Sequence, residues 1–106
     1  MAKTNLSSIK VTLLIPLRDN DAEFFDLATW TWWNDELTGI VTGFTDVGLV
    51  TGWWRGYTDE NRSFVIIVRS MREVGAIRRL LTEARSRFKQ EAMYLEYHRV
   101  FFEEVV

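Results

Sequence analysis

An α+β domain is predicted for this chain, a four-stranded antiparallel sheet with two helices on one face. Three observations predict it. Several stretches alternate apolar and polar residues at the period of a strand. Two others repeat apolar residues at helical spacing. Their order along the chain is β-α-β-β-α-β, which short connections and right-handed crossovers turn into a ferredoxin-like split βαβ sandwich. The 106 residues suit one such domain, since domains commonly hold roughly 100–150 residues.

The elements follow in order. Residues 1–8 are polar and read as a flexible tail, leaving 9–106 as a single ferredoxin-like domain. Ile9, Val11, Leu13, Ile15 and Leu17 occupy alternate positions of a first strand. Asp19-Asn20-Asp21 is a turn and helix-cap cluster. A helix is expected from about Ala22 to Thr38, with Gly39 just past its end. Leu27, Trp30, Trp33, Leu37 and Val41 share one arc of it; Phe24, Phe25, Ala28 and Trp32 lie on another. Leu49–Gly56 reads as a second strand, Tyr57–Asn61 as a polar turn, and Arg62–Arg69 as a third strand with the core Val65-Ile66-Ile67-Val68. Ser70 and Glu73 form a capping box. The helix behind them carries Val74, Ile77, Leu81, Ala84 and Phe88 along one stripe. Ala92–Phe102 closes the domain, with Met93, Leu95 and Tyr97 on one face and Tyr94, Glu96 and His98 on the other.

Ile15-Pro16-Leu17-Arg18-Asp19-Asn20 after a strand, then Gly52-Trp53-Trp54-Arg55, then Glu83-Ala84-Arg85-Ser86-Arg87-Phe88-Lys89-Gln90-Glu91, together resemble a group of small uncharacterised bacterial proteins. The resemblance implies a strand–helix–hairpin–helix–strand domain. It carries no catalytic residue over, because the group has no assigned activity. The aromatic residues of the first helix depart from its usual pattern.

Composition removes several classes. There is no cysteine and a single histidine, so disulfide scaffolds, thiol nucleophiles and Cys- or His-rich metal centres are excluded. A net charge of −2 gives no general affinity for nucleic acid or anionic membrane. The charge is nonetheless uneven: acids crowd 18–46 and bases crowd 55–89. The two regions screen one another, or the basic helix holds an anionic partner. No apolar run reaches the roughly 18 residues of a membrane span, and the N-terminus lacks a signal-peptide cleavage pattern. A cytoplasmic protein is expected. No phosphate-cradling or dinucleotide glycine loop occurs, and Arg62–Ile67 keeps only fragments of the RNA-stacking consensus. No cofactor and no nucleic-acid partner are therefore expected.

The candidate contact residues lie on the sheet face opposite the helices. Leu14, Val65, Ile67, Tyr94, Glu96, His98 and one of Trp53 or Trp54 should lie there, a face too apolar to stay solvated. Glu96 and His98 could act as a carboxylate–imidazole pair, but i and i+2 positions lie about 7 Å apart along a strand. Trp53-Trp54-Arg55 combines the residue types in which binding energy concentrates. Trp30 and Trp33 read as core; Phe25 and Trp32, spaced as i and i+7, form a stripe that a partner would cover. Two functions follow. One is a non-enzymatic, self-associating domain, a homodimer or higher oligomer built through the open face and the Phe25/Trp32 stripe. The other is a dimeric α/β barrel that binds or converts a small apolar or aromatic ligand without a metal or nucleotide cofactor, using Trp53, Trp54, Arg55, Tyr94, Glu96 and His98.

Overall fold

The computed structural model describes residues 6–54 and 56–106, the side chains of Leu6, Ser7 and Trp54 excepted. The elements are β1 (Leu6–Pro16), α1 (Leu27–Ile40), β2 (Thr45–Trp54), β3 (Tyr57–Val68), α2 (Met71–Arg87) and β4 (Tyr94–Phe102). All strands pair antiparallel in the order β2-β3-β1-β4. This is the expected ferredoxin-like α+β arrangement.

The alternation of β1 does what its sequence requires. Ile9, Val11, Leu13 and Ile15 are buried beneath the helices together with Phe64, Ile66 and Val68 of β3. From above come Trp33 and Leu37 of α1, then Val74, Ile77, Leu80, Leu81 and Ala84 of α2, with Phe88 just beyond it. Phe88 is the junction. Its ring meets Phe25 edge-on at 4.9 Å, Trp30 at 5.2 Å and Trp33 at 6.2 Å between centroids, within the range where aromatic pairs attract beyond their area. Phe64 continues the stack against Trp33 and Phe44.

Several boundaries differ from expectation, each for a local reason. Leu6–Ser8 belong to β1 rather than to a tail, because they pair with Val100–Phe102; residues 1–5 lie outside the described residues. The acidic cluster after β1 does not cap a helix. Asp19 Oδ1 accepts the N–H groups of Asp21 and Glu23, Ala22 takes a positive φ of 63°, and Arg18 bridges back to Phe24. The loop so closed delays α1 to Leu27, where Asp26 is the cap, its Oδ1 accepting the N–H and hydroxyl of Thr29. Leu27, expected in the core, is consequently 82% exposed. Residues 57–61, expected as a turn, are the first part of β3, and the β2–β3 turn shrinks to the tip around Gly56, with φ 85°. Glu73 accepts the N–H of Arg69 at 2.6 Å, and the Ser70 side chain makes no capping bond, so half of the expected capping box forms, displaced by one residue.

Two glycine-type conformations shape the ends of elements. A bulge between Asp46 and Gly48 interrupts the β2–β3 register, with Gly48 at φ 94°. Beyond α2, Lys89 takes φ 50° while its N–H and that of Gln90 reach back to the carbonyls of Ser86 and Arg85. That is a Schellman ending, with lysine where glycine is usual.

Three substitutions test this account. Phe88→Ala should cost about 3–5 kcal/mol in urea unfolding, as for other buried aromatics, whereas Leu27→Ala should stay within about 0.5 kcal/mol of wild type. A large cost at Leu27 would show that α1 begins earlier. Gly48→Ala should lose about 1–2 kcal/mol from the left-handed backbone alone, since no atom lies within 4 Å of the added methyl.

Candidate functional site

The uncovered face of the sheet is laid out by pairing register. Across it run three rows: Ile67, Lys10 and His98; Val65, Thr12 and Glu96; Ser63, Leu14 and Tyr94. Ser63 and Asn61 are buried there, Leu14 and Val65 half-buried, and Ile67 is 46% exposed. Of the residues expected on this face, Leu14, Val65, Ile67, Tyr94, Glu96 and His98 lie on it, whereas Trp53, opposite Thr58, lies on the helix side. Lys10 joins the uncovered face between Ile67 and His98.

At the end of this face where β1 stops, a half-open cleft of about 610 Å³ is formed. Leu14 and Pro16 of β1, Thr58–Asn61 of β3 and Tyr94 of β4 supply its floor. The loop residues Arg18–Asn20 and Ala22, with Gln90 and Ala92, supply its rim. Sequence order explains the placement. Pro16 can end a strand without wasting a donor, and the closed loop after it folds back toward the turn beyond α2. There the Asn20 amide donates to the Lys89 carbonyl, and Lys89 Nζ lies 3.5 Å from Asp19.

The cleft is acidic. Asp19, Asp59 and Glu60 line it, against Arg18 alone among bases. Arg18 divides its charge between Glu60 at 3.6 Å and the Phe24 ring at 4.2 Å. Asp19 is held below the usual aspartate range, chiefly by the Glu23 N–H, with help from the Asp21 N–H and Lys89 against the opposing cost of burial. Asn61 is almost fully buried, and its amide donates to the Asp59 carboxylate at 3.1 Å. Tyr94 completes the wall: its hydroxyl donates to Glu96 Oε2 at 3.0 Å, and this bond, with the carboxylate charge, raises the phenol above its ordinary value. A second hollow, of about 680 Å³, lies at the other end of the sheet and is lined by Thr38–Thr42, Ile67–Arg69 and Glu73. Its charged groups are Arg69 and Glu73, and Glu73 already accepts a backbone N–H.

The residues singled out from the sequence separate here. Tyr94 lines the cleft, and Glu96 reaches it only through Tyr94. The carboxylate of Glu96 is taken by the phenol rather than by imidazole, and among the described residues no hydrogen bond joins it to His98. Trp53 is 74% exposed near the tip of the β2–β3 hairpin and lines neither core nor cleft. The side chain of Trp54 and all of Arg55 lie outside the described residues. Phe25 and Trp32 do not form a helical stripe, because Phe25 precedes α1. Phe25 packs on Phe88 and Trp30, and Trp32, half-buried, carries the Arg87 guanidinium at 4.5 Å.

Two features escaped the sequence. One is the cleft wall Asp59–Asn61, hidden by its reading as a turn. The residues from Thr58 to Ser63 are polar without alternation, so no strand signal marked them. The other is Arg62, which pairs bidentately with Asp46 while lying over Trp30 and Phe64 at 4.9 and 5.5 Å. Its side-chain hydrogen bonds depress the Asp46 carboxyl.

Two titrations follow. Asp19, Asp26 and Asp46 all lie below the usual 3.8 in the folded chain. Their stabilisation is therefore complete above that value and is lost as pH falls through the folded values. Asp46→Asn should flatten the acid limb of stability against pH; an unchanged limb would remove Asp46 from this role. Glu96→Gln should shift the Tyr94 phenol, assigned by difference from Tyr94→Phe, down toward its ordinary value in an ultraviolet titration, and no shift would contradict the Tyr94–Glu96 bond.

No family model matches the chain, and no curated protein matches it either. It is similar to a solved structure, a phage SAM lyase in complex with S-methyl-5′-thioadenosine, with a TM-score of 0.57 and 18% identity over 98% of this chain and 94% of the other. The resemblance to uncharacterised proteins therefore gains no family behind it, and the ferredoxin-like fold of this chain is shared with a protein of named activity.

Proposed function

We propose that the chain binds an adenosyl sulfonium of the S-adenosylmethionine type in the cleft at the end of the sheet and releases S-methyl-5′-thioadenosine from it. The observation that carries this reading is the acidic cleft itself. Its volume suits a ligand of that size, as small-molecule pockets commonly span about 300–1,000 Å³. Three carboxylates against one arginine favour a cation, and the exposed Tyr94 ring offers a face on which a sulfonium or a purine can rest. The buried Asn61 amide and the backbone around it supply the few fixed polar contacts that orient such a ligand. Attack of the substrate's own carboxylate on the γ-carbon forms a C–O bond as the bond from that carbon to sulfur breaks. The amino-acid arm leaves as a lactone, the electron pair returns to sulfur, and the cation becomes a neutral thioether, which an acidic cleft holds less strongly. The likeness to the phage SAM lyase supports the choice of ligand. It is a likeness of fold, so the cleft residues carry the argument.

The second reading is self-association without catalysis. It is supported by the apolar strip of Leu14, Val65 and the 46%-exposed Ile67 on the uncovered face, which a second copy would remove from water.

Isothermal titration with S-adenosylmethionine, and chromatography of the products, test the first reading. Binding is expected in the micromolar range, with S-methyl-5′-thioadenosine accumulating over time. Asp59→Asn should weaken affinity for the cation by about ten-fold, roughly one lost charge contact, while affecting the neutral product less. Absence of both binding at millimolar ligand and product release would overturn it.

A further inference from the structure

β4 is an edge of the sheet, and among the described residues nothing pairs with its outer side. It carries Glu96 and Arg99, of opposite sign, and lacks the other devices that blunt an edge. It runs for nine residues without proline, lysine or bulge, and carries Tyr97 and Phe101 at 43% and 74% exposure. Edges of that kind recruit another strand. We propose that two copies of this chain join through their β4 edges, antiparallel about a two-fold axis at Tyr97, into one continuous eight-stranded sheet. The proposal rests on the self-association reading and places its contact at the β4 edge instead of on the open face.

The register follows from charge. A two-fold axis normal to the sheet sets each residue opposite one of the same face, so the centre must be a residue. Centring on Glu96 or Arg99 opposes like charges, which destabilises the pair. Centring on His98 opposes the two imidazoles and leaves Glu96 against Val100. Centring on Tyr97 sets Glu96 opposite His98 of the second copy twice over, Tyr94 opposite Val100, and Met93 opposite the exposed Phe101. This register thus sets the Glu96 carboxylate beside an imidazole that can donate an N–H to it on the open face, and apolar partners beside Tyr94 and Phe101, with Leu95 opposite Arg99. The helices stay on one side of the joined sheet, and the uncovered face doubles in width.

Sedimentation equilibrium of five proteins tests this. Wild type should be a dimer in the micromolar range. Tyr97→Lys, which brings two ammonium groups together at the axis, should raise the dissociation constant by at least about ten-fold, and its unchanged far-ultraviolet dichroism would show that the fold is kept. His98→Glu should weaken the dimer similarly, and Glu96→His added to it should restore the dimer. A monomeric wild type overturns both the proposal and the self-association reading. A dimer that survives Tyr97→Lys but is lost in Ile67→Lys overturns the edge alone and assigns the contact to the open face. Failure of the Glu96→His, His98→Glu pair to recover overturns the Tyr97 register.

Discussion

Six aromatic rings meet where the end of α2 crosses the sheet, and the positions of the other parts depend on that contact. Phe88 lies at its centre, touching Phe25, Trp30 and Trp33. Because Phe88 is the last residue before the left-handed Lys89, the packing that fixes the ring also fixes the direction in which the chain leaves the helix. Gln90 and Ala92 then arrive at the rim of the cleft, and the Lys89 carbonyl is placed for the Asn20 amide. Phe25 is held from the other side, anchoring the loop that carries Arg18 and Asp19. Core packing and cleft geometry are therefore one problem: a ring removed from the junction frees both walls of the cleft together.

The fold was legible because its signals were redundant. Ile9–Leu17 alternates cleanly, the α2 stripe repeats cleanly, and the element order admits few topologies. The candidate site was legible only in part. Tyr94, Glu96 and His98 share a face by alternation alone, and alternation survives small errors in strand ends. Phe25 and Trp32 failed because helical spacing means nothing for a residue outside the helix. What put Phe25 outside was a side-chain event, Asp19 closing its own loop instead of capping α1. Asp and Asn compete for backbone donors in either role, and the competition was settled by Arg18–Phe24 and Lys89, contacts distant in sequence or hidden in a polar run. Asp59–Asn61 was missed for the converse reason, since a polar strand and a polar turn share a composition.

Electrostatics divides the molecule along the same lines. The bases crowded into α2 do not all stand free: Arg87 covers Trp32, Arg85 donates to the Glu91 carbonyl and Lys89 approaches Asp19. Part of the basic surface is thus spent on fastening the helix to its surroundings. Asp19, Asp59 and Glu60, by contrast, gather at the end of the sheet, where Arg18 is the one base lining the cleft and Lys89 meets Asp19 from outside it, which leaves that end the more attractive to a cation.

The bulge in β2 has a consequence for heredity as well as for shape. Val47 is the residue it inserts, and every position beyond it is read one step out of phase with the strand before it. Trp53 lies opposite Thr58 on the helix side of the sheet. Loss of the Val47 codon would therefore close the bulge and leave the hairpin arm in register, with Leu49, Thr51 and Trp53 still opposite Arg62, Glu60 and Thr58. In descendants of this gene, the bulge is thus a place where one residue can be lost without turning a neighbouring side chain over.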